Sequence, residues 1–164
     1  MAYVDYIERD ISISIKKPFN TNDVYKEITR WAKKHRYTPE ERTYQLSGER
    51  DAQSLKIYLV LEKKETDYAK IGIDVTLIGS DMRNIKIKNK VMQEGSLTIS
   101  FSLYIKSDYE DTWSRKNLAR FLREFYDKFI GSKRVESYEK EAKNDLYNLK
   151  NALKDFFRAP KLKK

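Results

Sequence analysis

Six apolar residues in the last third of the chain set the first constraint. Leu118, Phe121, Leu122, Phe125, Phe129 and Ile130 recur at the three- and four-residue spacing of an α-helix and share one face. A stripe of that width must be buried against something. Gly131 offers a left-handed stop. A second helical pattern follows, with Val135, Tyr138, Ala142, Leu146, Leu149, Leu153 and Phe156. The stretch Trp113–Phe157 is therefore expected to cover whatever sheet the earlier chain forms.

That earlier chain reads mostly as strands. Ile11, Ile13 and Ile15 alternate with Asp10, Ser12, Ser14 and Lys16, giving a strand over Ile7–Lys16 that Pro18 ends. Asn20, Thr21 and Asn22 are candidate N-caps for a helix of roughly 15 residues. Val24, Ile28, Trp31, Ala32 and His35 line it, and the Arg36–Pro39 stretch stops it. Glu41–Leu46 is weakly patterned. Clear alternation follows at Leu55, Ile57, Leu59 and Leu61, then at Ala69, Ile71, Ile73, Val75 and Leu77. A short strand carries Ile85 and Ile87, and Leu97–Ile105 alternates most cleanly. Turn chemistry marks Ser47–Gly48, Gly79–Ser80–Asp81 and Glu94–Gly95–Ser96. Gly72, inside a strand pattern, predicts a bulge or bend. The expectation is an α+β fold, a curved antiparallel sheet of about six strands in the order β-α-β-β-β-β-β-α-α, covered by a long amphipathic C-terminal helix. Residues 1–157 read as one domain and 158–164 as a flexible basic tail.

Composition narrows the function classes. With 40% hydrophobic and 36% charged residues the chain is globular with a highly charged surface. It has no cysteine, which removes disulfides, thiolate catalysis and cysteine metal sites. No run approaches the ~18–20 apolar residues of a membrane span. Asp5, Glu8 and Asp10 argue against a signal peptide, so the expected location is cytoplasmic.

The strand–helix–strands–helix order is similar to the helix-grip arrangement of START-like and polyketide-cyclase-like proteins, over about Ile7–Ile130. That resemblance implies a curved sheet around a C-terminal helix, with an apolar or lipid-like ligand between them. The chain departs from it in having one helix after the first strand and an extra helix at the end. Separately, Asp108–Trp113, Arg120–Arg123 and Tyr126–Ile130 resemble segments of small uncharacterised archaeal proteins, a likeness that implies no activity.

Catalytic chemistry has little to start from. His35 is the only histidine and falls in the last turn of the first helix, where the dipole favours a cation. Glu40–Glu41 and Asp108, Glu110 and Asp111 flank expected elements, and Asp111, Thr112 and Ser114 read as N-caps. No phosphate-loop, dinucleotide, nucleophile-elbow or zinc-protease pattern appears. The expectation is a protein that is not an enzyme and needs no cofactor or metal.

Charge is more informative. The net charge is +9, and residues 111–164 hold 15 Lys and Arg against 8 Asp and Glu. Two cation rows stand out. Arg83, Lys86, Lys88 and Lys90 sit on the short strand, the three lysines on the face opposite Ile85 and Ile87. Arg115, Lys116, Arg120 and Arg123 open the amphipathic helix, the last three sharing a face. Such rows suit phosphate contacts, and Tyr37, Tyr58, Tyr104 and Tyr109 are available to stack bases. The expected function is a non-catalytic binding module whose basic face meets nucleic acid or a ribonucleoprotein. The alternatives are the helix-grip pocket and docking of a protein partner, or a second copy, on the last helix.

Overall fold

The computed structural model describes residues 3–65, 69–107 and 133–158. Five strands and two helices follow in the order β1 (Tyr3–Ile15), α1 (Thr21–Lys34), β2 (Thr38–Glu49), β3 (Ala52–Lys64), β4 (Ala69–Ile87), β5 (Lys90–Ser107) and α2 (Lys133–Arg158). The strands form one antiparallel sheet in the spatial order β1-β5-β4-β3-β2. The fold is α+β, as expected, with five strands among the described residues where about six were expected. The amphipathic stretch Leu118–Ile130 lies outside the described residues.

The missing strand boundary is a bulge. Ser80 opposes Ser96 and Arg83 opposes Glu94, so Asp81 and Met82 together face Gly95. Gly79–Ser80–Asp81 and Glu94–Gly95–Ser96, both expected as turns, are the two sides of this irregularity, and β4 runs 19 residues through it. The turn between β4 and β5 is Lys88–Asn89, with φ of 52° and 66°. Left-handed conformation at both central residues is what a two-residue hairpin needs to match strand twist. Ser47–Gly48 likewise lies within a ladder, and the β2–β3 turn is Arg50–Asp51, between paired Glu49 and Ala52. Gly72 makes no bulge. It pairs in unbroken register with Glu62 and Tyr104, and its missing side chain leaves room for the Tyr104 ring, which a Cβ there would overlap.

The strand residues Leu55, Ile57, Leu59, Leu61, Ile71, Ile73, Val75, Leu77, Leu97, Ile99, Phe101 and Leu103 are buried in one core with both helices. Helix α1 starts where the Asn20 Oδ1 accepts the Asp23 N–H at 3.0 Å. It ends before Arg36, whose φ of 68° leaves the helical region. Its buried residues are Val24, Ile28, Trp31 and Ala32. In α2, Ala142, Leu146, Leu149 and Leu153 are spaced four, three and four residues apart and are fully buried. Phe156 and Phe157 pack against the same core. The apolar stripe of this last helix is thus used by the chain itself. Among the described residues no helix is long and apolar enough to cross a membrane.

Polar contacts hold the helices to each other and to the sheet. The Trp31 indole N–H donates to Asn148 Oδ1 at 2.9 Å, and the Tyr37 hydroxyl donates to Asp145 Oδ2 at 2.8 Å. Lys63 on β3 reaches Glu65 at 3.1 Å, Asp145 at 3.2 Å and Glu141 at 3.4 Å. Burial opposes the Lys63 charge, but Glu65 and Asp145 outweigh it and raise its pKa. His35 is the residue capping the C-terminal end of α1 and stacks on Trp31 with ring centroids 4.4 Å apart.

Two substitutions test this packing. Leu146→Ala removes a fully buried side chain and is expected to cost about 2–5 kcal/mol in urea denaturation, whereas Tyr147→Ala on the exposed side of α2 should cost about 1 kcal/mol or less. Gly95→Ala would set a Cβ 2.8 Å from the Ser80 carbonyl oxygen and 2.9 Å from that of Asp81. We expect it to lower stability by about 1–3 kcal/mol, because backbone must move to admit it.

Candidate nucleic-acid interface

Beyond the bulge the central hairpin leaves the sheet. β3 pairs with β4 only as far as Met82, and β1 pairs with β5 only as far as Leu97. From Arg83 opposite Glu94 to Ile87 opposite Lys90, β4 and β5 form a two-stranded ribbon whose one further bridge among the described residues is that of Phe19 to Gln93. Its β5 edge is braced at Gln93, Val91 and Lys90 by the segment between β1 and α1 and by the first turn of α1. Phe19 donates its N–H to the Gln93 carbonyl at 2.9 Å and accepts the Gln93 N–H at 2.5 Å. The Asn20 amide nitrogen, whose partner oxygen caps α1, donates to the Val91 carbonyl at 2.8 Å. Gln93 Oε1 accepts both the Thr21 N–H at 2.8 Å and the Thr21 hydroxyl at 3.1 Å, while its Nε2 donates to Asn84 Oδ1 at 3.0 Å.

This ribbon carries one of the two expected cation rows and divides it. Arg83 is held across the strands by Glu94, at 2.8 Å from Nε and 2.6 Å from a terminal nitrogen. Lys90 is ion-paired with Asp23 in the first turn of α1. Lys86 and Lys88 are exposed and form no ion pair with another described residue. The three lysines do not share a face. Lys86 stands opposite Val91 and Ile87 opposite Lys90, so Lys86 and Lys90 point to opposite sides, and Lys88 is in the turn. Alternation could not survive a reversal of the chain. Arg115, Lys116, Arg120 and Arg123 lie outside the described residues.

Two cations that sequence spacing left unmarked join the ribbon. Lys16 and Lys17 are exposed, without an ion pair to a described residue, and lie between Ile15, opposite Leu97, and Phe19, opposite Gln93. That places them beside the ribbon's base. Their signal was the Lys16–Lys17–Pro18 step at the end of a strand. At the tip, Ile87 and Val91 are 40% and 45% exposed, unusual for β-branched strand residues.

The face of the sheet opposite the helices is a second polar surface. Register sets Ser12, Ser100, Thr76, Tyr58 and Thr43 side by side across all five strands. Next to that row, Asp74 accepts the Tyr6 hydroxyl at 2.9 Å and the Tyr58 hydroxyl at 3.1 Å, and Glu62 accepts the Tyr104 hydroxyl at 2.7 Å. Burial, then the Asp74 charge and its hydrogen bond, push the Tyr58 phenol up to about 12. Burial and Glu62 raise Tyr104 as well. Of the tyrosines expected to stack bases, Tyr104 is buried over Gly72, Tyr37 is buried beneath the helices, and Tyr109 lies outside the described residues. Arg9 covers the Tyr6 ring at 4.2 Å. Tyr6, Tyr58 and Tyr104 on this face are therefore engaged by the sheet's own carboxylates. Glu40 is paired with Arg42 at 3.2 Å, and Glu41 accepts the Tyr25 hydroxyl at 3.1 Å, so neither stands as a paired acid–base couple.

Comparison with protein-family models, with curated proteins and with solved structures gives no match for this chain.

The Tyr58–Asp74 bond makes a pH prediction. A phenol whose folded-state pKa is raised contributes stability that is fully present below its unfolded value near 10 and is lost as pH rises towards 12. Denaturation midpoints should fall across that window. Asp74→Asn should bring Tyr58 ionisation to lower pH in an ultraviolet titration of tyrosinate.

Proposed function

We propose that this chain is a non-catalytic binding module that contacts nucleic acid, free or within a ribonucleoprotein, through the basic end of its β4–β5 ribbon. One observation carries the reading: a two-stranded ribbon extends past the sheet and ends in exposed Lys86 and Lys88, with Lys16 and Lys17 at its base. Fold stability gives no reason to gather four like charges there. A polyphosphate backbone does, because each lysine that neutralises a phosphate releases a condensed counterion. Arg83 and Lys90 then act as positioning residues, one pinning the two strands together and the other fixing the ribbon to α1. The Leu118–Ile130 stretch and the Arg115, Lys116, Arg120 and Arg123 row lie outside the described residues, and the reading rests on the ribbon. Phe121, Phe125 and Phe129, on which an apolar-ligand pocket turns, lie outside the described residues.

The charge-reversal pair Lys86→Glu with Lys88→Glu tests the assignment. Both residues are exposed, so the thermal midpoint should stay close to that of the parent. Binding to a labelled oligonucleotide, followed by fluorescence anisotropy, should weaken by about tenfold or more at low salt, and the salt slope should drop by about 2. Unchanged affinity in the reversed protein would sink the proposal.

A further inference from the structure

Resting on that reading, we infer that the ligand of the ribbon is B-form duplex DNA, held without strong sequence preference. Three features of the ribbon point there. Residues 83–94 contain no aromatic side chain, so the ribbon offers none of the stacking platforms by which single strands are gripped. Its dimensions fit a groove of a particular width. Paired strands lie about 4.8 Å apart, and a two-stranded ribbon enters the ~12 Å major groove of B-DNA. The deep, narrow major groove of A-form RNA does not admit side chains in the same way. The paired length, five residues from Arg83 to Ile87, spans about 17 Å, about half a helical turn of duplex.

The polar groups of the ribbon decide against base reading. Asn84 and Gln93 are the amides best placed along it, and both are occupied. Gln93 donates to Asn84 and accepts twice from Thr21. Only Asn89, in the turn, remains as an amide near the tip. The exposed cations are lysines, which meet phosphates as point charges and lack the fork that reads guanine bidentately. Arg83, the one residue with that fork, has it turned to Glu94. Val91, which shares the Lys86 face, supplies an apolar contact to the groove floor, such as a thymine methyl group, while Lys86 and Lys88 reach the bordering phosphates.

The test uses the full chain and labelled oligonucleotides: two DNA duplexes of unrelated sequence, an RNA duplex and the single strands. Anisotropy at low and moderate salt is expected to give the two DNA duplexes affinities within about threefold of each other, and both about tenfold or more above the RNA duplex and single strands. Val91→Ser should weaken duplex DNA binding while leaving its salt slope intact, since Val91 neutralises no phosphate. Equal or tighter binding of RNA or single strands, lost on Lys86→Glu with Lys88→Glu, would overturn the DNA assignment and leave the ribbon as a nucleic-acid contact. A large affinity difference between the two DNA sequences would overturn the claim of sequence independence. Binding to none of them at low salt, or to anionic phospholipid vesicles instead, would overturn both the inference and the reading beneath it.

Discussion

The antiparallel ladder between β4 and β5 runs from Ala69 opposite Ser107 to Ile87 opposite Lys90, and the other elements attach to it directly or, for β2, through β3. β1 and β3 pair on its two flanks, β2 closes the outer edge, and both helices share a core with its buried residues Ile71 to Leu77 and Leu97 to Leu103. A single register therefore fixes which side chains meet the helices. A slip of one residue would turn Ile73, Val75, Ile99 and Phe101 towards the Ser and Thr face and bury Asp74 without its tyrosine partners. The bulge at Asp81–Met82 protects that register, because a ladder with an extra residue on one strand has only one alignment that satisfies both of its halves.

The same bulge separates two regimes of the hairpin. Below it, the strands are buried on one face and flanked on both edges, and their free energy comes from burial. Above it, the strands rely on their own pairing, on cross-strand contacts such as Arg83–Glu94, and on Phe19, Asn20 and Thr21 at one edge. An exposed pair of that kind contributes little to stability. Its weight lies in keeping the ribbon straight and in removing Arg83 from the set of cations open to a ligand.

Much of the sheet was legible in the sequence, because strict alternation at Leu55–Leu61, Ile71–Leu77 and Leu97–Leu103 has one physical meaning when one face is buried. The capped first helix was legible for a similar reason. Its stripe of Val24, Ile28, Trp31 and Ala32 and its Asn20 cap act locally. Glycine was the misleading sign. At 79 and 95 it serves a bulge, at 72 it makes room for a ring, and the real reversal at Lys88–Asn89 has none. The only hint there was Asn89, which tolerates the left-handed region. The cation row was visible, but its division was not. Glu94 neutralises Arg83 from across the hairpin, and Asp23 engages Lys90 from a helix 67 residues away, a distance that no local pattern spans. Lys16 and Lys17 reach the ribbon only because β1 lies beside β5, a fact of topology.

Asn20 has two allegiances. Its side-chain oxygen closes the first turn of α1, and its nitrogen holds the ribbon at Val91. Fraying of the helix start and swinging of the ribbon are therefore one motion rather than two. Whatever steadies the ribbon's tip slows amide exchange in the opening turn of α1, and a loosened opening turn lets the tip wander. The ribbon and the helix start form a single mechanical unit, joined through Asn20, Thr21 and the Lys90–Asp23 pair.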